Sequence, residues 1–196
     1  MLSRMTPLTR RRFFVWTGGA LAAASGVVAV VRSSGYVVPA ATLAKLQSLS
    51  AWQYVVVQHL ARRIAAPDKD DGSVPTTDDV DVAGFVDGYV AGMPPTLRRD
   101  LQRALAMLEH MAPLGVGYAS RFTRLPPDSQ DRVLAGLESS SVDLLRGAFD
   151  GLKSLVFMGY YRDPRTWAIL RYDGPLVNRP DAGWAAWKPL GGGERP

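Results

Sequence analysis

The sequence predicts a mainly α-helical protein, in which a compact single-domain helical bundle follows an N-terminal signal helix and precedes an irregular, aromatic-rich C-terminal segment. Apolar residues recur every three or four positions over several stretches, which is the spacing of one helix face. Pro- and Gly-containing segments separate these stretches and mark the connections between helices. The sequence therefore divides into a signal at 1–40, a helical domain at 41–175 and a Gly- and Pro-rich tail at 176–196.

The N-terminal segment resembles a bacterial twin-arginine export signal. Thr9, Arg10, Arg11 and Phe13 match the consensus of a Ser or Thr, two arginines, any residue, Phe, Leu and Lys. Phe14 replaces the leucine conservatively, and Val15 departs from the usual lysine. The apolar run that follows, residues 15–31, would form a helix of roughly 25 Å, which is short for a bilayer span. We therefore expect export by the twin-arginine (Tat) translocase, to the periplasm or to the outer face of the cytoplasmic membrane.

The N-terminal segment is either a cleaved signal or a membrane anchor. The same basic and apolar pattern fits a plain membrane anchor with positive flanks. Val38-Pro39-Ala40 has small residues where a signal peptidase requires them, so we expect cleavage near Ala40. Without that cleavage, residues 15–31 would remain as an anchor.

The basic charge of the chain lies in its N-terminal segment. Of the 23 basic residues, five are arginines within residues 1–40, where no acidic residue occurs. Subtracting these five leaves 18 basic residues against 18 acidic ones, so the remaining domain and tail are formally neutral. Because binding to nucleic acid needs a basic face, this composition argues against a nucleic-acid partner. The chain also has no cysteine, so an exported domain must be stabilised by its own core or by a partner.

Five helices are predicted in the domain. The first runs from Thr42 to Ala66, and a short amphipathic helix covers about residues 82–90. The clearest apolar stripe lies in a helix over 96–111, with Thr96 as its cap. Asp128 is predicted to cap a fourth helix, and the fifth covers about residues 141–160.

No catalytic, cofactor-binding or metal-ligating group is predicted in this chain. His59 and His110 each lack a second ligand at helical spacing, so both are interpreted as surface or interface histidines. The acidic loop at 68–79 fits a calcium loop poorly and is interpreted as solvated. No nucleotide-binding glycine motif and no nucleophile motif is present. We therefore expect that the chain is not an enzyme by itself.

The segment after the last helix is the most distinctive part of the domain. Four large aromatic residues fall within thirteen positions, and prolines interrupt the segment. Such residues either pack a loop onto the helices or present a surface to a partner, and composition leaves both readings open. The candidate partner interface consists of Tyr160, Tyr161, Pro164, Trp167, Tyr172, Gly174 and Pro175.

Three motifs in the domain carry a family resemblance. They are Leu60–Pro67 with Val82–Asp87 after the acidic loop, Phe122–Pro127 before a helix, and Phe149–Tyr161 followed by Pro164, Trp167, Leu170, Tyr172, Gly174 and Pro175. Over roughly residues 50–175 the sequence resembles the gluconate 2-dehydrogenase subunit 3 family, the small subunit of FAD-dependent membrane dehydrogenases. The closing Tyr–Pro–Trp–Tyr–Gly–Pro pattern is the specific part. Arg171 departs from the glycine common in the family, and the tail after Pro175 corresponds to no part of the pattern.

This resemblance implies a non-catalytic accessory subunit. In the family, a large subunit of the glucose–methanol–choline (GMC) oxidoreductase type holds FAD and oxidises a sugar, polyol or other alcohol. A cytochrome c subunit often takes the electrons. The small subunit carries the Tat signal, binds the large subunit and aids its maturation and export. The resemblance thus places FAD in the partner and no cofactor in this chain.

The residues alone leave a second class of function open. It is a free-standing exported or membrane-anchored helical binding protein, which would hold a ligand with the aromatic segment. The tail tryptophans Trp184 and Trp187 would contribute to the same binding, because large aromatic residues are unusual in a purely disordered tail.

Overall fold

The computed structural model describes residues 35–65 and 74–172, and the regular elements within these ranges are all helical. The mainly α fold is thereby confirmed. The chain divides into two units, residues 1–45 and 46–196. In the first unit the described residues include one helical turn, α1 (Ala40–Leu43), which buries none of its side chains. The predicted signal residues Arg10, Arg11 and Phe13 lie outside the described residues.

The second unit contains the helical bundle. Its α-helices are α2 (Ala51–Ile64), α3 (Val82–Ala91), α4 (Pro95–Ala106), α5 (Ala112–Gly115), α6 (Pro127–Glu138) and α7 (Asp143–Tyr161). A π-helical turn, Met107–Met111, joins α4 to α5. Two 3₁₀ segments, Phe122–Arg124 and Pro164–Leu170, precede α6 and follow α7. None of these helices within the described residues is long and apolar enough to cross a membrane.

Helices α2 and α7 form the centre of the bundle. Each of them packs against α3, α4 and α6, and they also pack against each other. The core at these contacts is made of fully buried aliphatic and aromatic side chains, including Val56, Leu60, Val86, Leu105, Leu108, Phe122, Val133, Val156 and Tyr160. Helices α3 and α7 approach closely because Gly159 lacks a side chain, and an added Cβ there would lie 2.9 Å from Phe85 Cδ1.

The predicted helix over 42–66 is wrong at its start. The chain leaves α1 after Leu43, and α2 begins only at Ala51. Between them, the backbone N–H groups of three consecutive residues donate to one buried carboxylate, that of Asp87 on α3. The donors are Gln47 at 2.7 Å, Ser48 at 2.9 Å and Leu49 at 2.6 Å. Because these N–H groups are bound to Asp87, they cannot continue a helical ladder.

The start of α3 is held by a compact polar arrangement around Asp81. Asp81 adopts a left-handed conformation, with φ of 49°, and its carboxylate accepts a hydrogen bond from the N–H of Gly84 at 3.0 Å. The hydroxyl of Tyr54 donates to the same carboxylate at 3.3 Å. Burial, together with the negative charge of Asp81, raises the pKa of Tyr54 to about 12. An added Cβ at residue 84 would come within 2.2 Å of the Asp81 carboxylate, so a larger residue there would displace the carboxylate from its capping position.

The predicted helix over 96–111 continues past its expected end. The chain passes from α4 through the π-helical turn into α5, which ends at Gly115. Leu105 and Leu108 are fully buried as the apolar stripe requires, but Leu97 and Met111 at its two ends are 54% and 61% exposed. The wider π turn shifts the helix register at its C-terminal end, so Met111 no longer faces the core, whereas Leu97 lies in the first turn of α4, before this shift.

Two predicted helix caps are also wrong. Helices α4 and α6 both begin at a Pro-Pro pair, Pro94-Pro95 and Pro126-Pro127, and the second proline is the first helical residue. Thr96 and Asp128 therefore lie inside the first turn and are not caps. Proline is favoured at this position because its missing N–H would have no helical partner anyway.

Candidate functional site

The aromatic segment folds back over the C-terminal end of α7. Thr166 is fully buried, and its hydroxyl donates to the backbone oxygen of Asp163 at 2.8 Å. The indole N–H of Trp167 donates to the backbone oxygen of Tyr161 at 2.8 Å. The ring of Tyr172 packs edge-on against Trp167, with 5.1 Å between ring centroids. These contacts fix the tryptophan and tyrosine rings relative to the last turn of α7.

The 3₁₀ segment begins at a charged cap. The Asp163 carboxylate accepts the backbone N–H of Arg165 at 2.9 Å and its guanidinium at 2.7 Å. The side-chain hydrogen bond from Arg165 is the main cause that lowers the pKa of Asp163 to about 2. Asp163 and Arg165 therefore form an ion pair at neutral pH.

The same segment is tied to the loop before α3. The hydroxyl of Tyr160 donates to the backbone oxygen of Pro75 at 2.9 Å, and the Arg162 guanidinium donates to that of Val80 at 3.0 Å. Arg162 also lies over the ring of Phe85 on α3, 5.0 Å from its centroid. These contacts join residues 77 to 85 positions apart and hold the end of α7 onto α3 and the loop before it.

Tyr160, a predicted interface residue, is a core residue within the chain. Its side chain is 1% exposed within the chain, and burial raises the pKa of its phenol. Its ring packs edge-on against that of Tyr161, and almost none of its surface is exposed for contact with a partner.

The remaining members form a surface. We call Tyr161, Pro164, Trp167, Leu170 and Tyr172 the aromatic surface: Tyr172 is 44% exposed, Leu170 is 53% exposed, Pro164 is exposed, and Tyr161 and Trp167 are half-buried. Gly174 and Pro175 lie outside the described residues. The structure thus brings together four of the seven predicted interface residues and adds Leu170. Their role as an interface stays a prediction.

The structure contains a buried ionic cluster that was not predicted from the sequence. Glu109, in the π-helical turn, is fully buried and accepts the hydroxyl of Thr123 at 2.7 Å and its backbone N–H at 3.1 Å. Arg121, 4% exposed, places its Nε 3.6 Å from a Glu109 carboxylate oxygen. The cluster joins the π turn to the 3₁₀ segment before α6. Its sequence signal is faint, because Glu109 lies on the apolar stripe four residues after Leu105.

The two histidines lie in ordinary packing environments. Nδ1 of the half-buried His59 is 3.0 Å from Gln130 Nε2, and burial is the main cause that lowers the pKa of His59. His110 packs against Trp52, with 5.9 Å between ring centroids. Within residues 35–65 and 74–172, no group of three or more acidic or histidine side chains could hold a metal ion.

A second surface feature lies at the other end of α7. We call it the apolar groove; its volume is about 440 Å³, and its lining includes Met107, Met111, Val116, Val133, Leu137 and Leu145. Of the lining residues, Met111 is 61% exposed and Val116 is 40% exposed. It contains no charged lining residue and offers no group for acid–base chemistry.

The described residues of the second unit form a small helical domain. It combines a firmly held aromatic surface with a buried core. The sequence profile described as gluconate 2-dehydrogenase subunit 3 matches residues 51–174, nearly the whole bundle. The chain belongs to this family. No curated protein and no solved structure matches the chain.

Proposed function

We propose that this chain is the non-catalytic accessory subunit of an FAD-dependent GMC-type alcohol or sugar dehydrogenase. It binds and stabilises the flavoprotein large subunit and escorts it through Tat export. The observation that carries the proposal is the family match over residues 51–174, whose description names a dehydrogenase subunit. The Tat-like motif at Arg10 and Arg11 supports the escort role. A cytochrome c subunit would accept the electrons in the same complex.

The aromatic surface is the proposed binding site for the large subunit. Tyr and Trp are the residues that most often anchor protein interfaces, since they combine a large apolar area with a polar group. Here the anchors are held in advance: Trp167 is hydrogen-bonded to Tyr161, and Thr166 beside it is buried. A preformed surface loses little conformational entropy on binding.

The first experiment tests binding. The chain is co-expressed with a GMC-type flavoprotein from the same genome and purified by a tag, and the bound flavin is measured by absorbance. We expect Tyr172→Ser to weaken the complex about 30-fold, the equivalent of about 2 kcal/mol for an interface anchor. Leu144→Ser is the matched control, because Leu144 is even more exposed but lies at the other end of α7. Equal affinities for the two variants would place the interface elsewhere.

The second experiment tests escort. Replacement of Arg10 and Arg11 by lysine should retain both this chain and the flavoprotein in the cytoplasm, with loss of periplasmic dehydrogenase activity. Retention of this chain alone would contradict the escort role. A chain that purifies as a stable monomer, while the flavoprotein matures and is exported without it, would favour the alternative of a free-standing binding protein.

A further inference from the structure

Two features remain outside the proposed function. One is the apolar groove, which is far along α7 from the aromatic surface. The other is the C-terminal tail, which lies beyond the part of the chain matched by the family profile. The tail carries the motif Trp184-Ala185-Ala186-Trp187. Transfer of two large aromatic side chains from water to an apolar site lowers the free energy, so an apolar site for this motif is favoured.

We propose that Trp184 and Trp187 occupy the apolar groove of the same chain, so that the tail forms a strap across the bundle. The groove has the right chemistry, because apart from the hydroxyl of Ser140 its lining side chains are aliphatic or thioether and none is charged. Methionines such as Met107 and Met111 adapt their shape to aromatic rings and make favourable sulfur–aromatic contacts. Its volume of about 440 Å³ lies in the range of pockets that enclose an apolar ligand larger than one ring.

The tail is long enough to reach the groove. Tyr172 is close to the end of α7, since Trp167 contacts both the Tyr172 ring and the backbone oxygen of Tyr161. From Tyr161 back to Leu145 the helix spans about 24 Å. The twelve residues from Tyr172 to Trp184 can cover up to about 40 Å. An attached segment of this length also has a high effective concentration at the groove, which favours binding within the chain over binding between chains.

The absence of cysteine from the chain makes the test direct. In the full-length protein, Met111→Cys is combined with Ala185→Cys, and disulfide formation under mild oxidation is followed by peptide mass spectrometry. The control pair is Thr96→Cys with Ala185→Cys. Thr96 is also exposed and lies on the same continuous helical run, but about 22 Å before Met111. We expect the Met111 pair to close at least tenfold faster than the Thr96 pair.

A second comparison separates docking from random encounter. In the Met111 pair, replacement of Trp184 and Trp187 by serine should slow closure to the rate of the Thr96 pair. Ser140 offers a further test, because it lines the groove and Ser140→Cys with Ala185→Cys should also close fast. The proposal would be overturned by any of three results: equal rates for the groove and control pairs, an unchanged rate after both tryptophans are replaced, or disulfides formed between chains. These results do not depend on the flavoprotein, so they leave the proposed function untouched.

Discussion

The buried pair of Glu109 and Arg121 gives the sharpest prediction for stability. Arg121→Met removes the guanidinium but keeps an unbranched apolar side chain of similar reach, so that packing is largely retained. Glu109 then stays buried without this guanidinium, and its carboxyl group keeps the two hydrogen bonds from Thr123. At the 3.6 Å separation of the charged atoms, an effective dielectric constant of about 20 gives an attraction of about 5 kcal/mol.

This value agrees with the loss of about 3–5 kcal/mol that follows removal of one partner from a buried ion pair. It is a large part of the stability of a typical domain, about 5–15 kcal/mol. We therefore expect Arg121→Met to lower the free energy of unfolding by about 3–5 kcal/mol. The assay is urea denaturation followed by circular dichroism, with the slope of the transition checked for two-state behaviour.

The matched control is Arg103→Met. Arg103 also pairs with a carboxylate, that of Asp100, at the shorter distance of 2.9 Å, but both side chains are more than 60% exposed. Exposed pairs of this kind contribute about 0–1 kcal/mol. Adding Glu109→Gln to Arg121→Met should recover at least about 1 kcal/mol, since a neutral amide is less costly to bury than a carboxylate that has lost its guanidinium partner. Losses for Arg121→Met and Arg103→Met that agree within about 0.5 kcal/mol would refute the reasoning.

Three further predictions follow from the packing and from the shifted pKa values. Gly159→Ala should be less stable than Gly147→Ala by about 1–3 kcal/mol in thermal or urea unfolding, because a Cβ at 159 overlaps Phe85 whereas one at 147 meets nothing within 4 Å; equal stabilities would contradict the close approach of α3 and α7. Ionised Asp163, whose pKa is lowered to about 2, stabilises the 3₁₀ segment above about pH 4, and this stabilisation is lost as the pH falls through about 2. Arg165→Ala should raise the pKa of Asp163 toward 3.8, which the NMR chemical shift of the carboxyl carbon measures. The pKa of Tyr54 is raised to about 12, so its contribution to stability is complete below about pH 10 and is lost as the pH rises through about 12. Ultraviolet titration of the protein against Tyr54→Phe measures the pKa of this phenol. A value near 10 would contradict its burial against Asp81.

The periodic part of the fold was predictable from the sequence because it depends on neighbours along one helix. The helices at 82–91 and 143–161 follow directly from apolar spacing and from the glycine and proline residues around them. The Pro-Pro starts of α4 and α6 were also readable, and the misplaced caps Thr96 and Asp128 came from giving polar residues priority over proline.

The remaining features depend on residues distant in sequence. The start of α2 is set by Asp87, which is 38 residues from Leu49 and binds the backbone before the helix. The burial of Glu109 depends on a π turn and on Arg121, neither of which produces a local pattern. For the candidate site, the aromatic composition identified the segment, but only packing separates the buried Tyr160 from the exposed Tyr172.

The hydrogen bonds from Gln47, Ser48 and Leu49 to Asp87 define where the chain can be cut. A polypeptide that starts at Leu46 keeps all three donors, whereas one that starts at Ser50 loses them and leaves a buried carboxylate without these partners. Proteolytic processing upstream of Leu46, including removal of a leader near Ala40, therefore leaves this fastening intact. Loss of only a few more residues would release the N-terminal end of α2 from α3, so the lower limit of a self-sufficient domain is set by a side chain on a different helix.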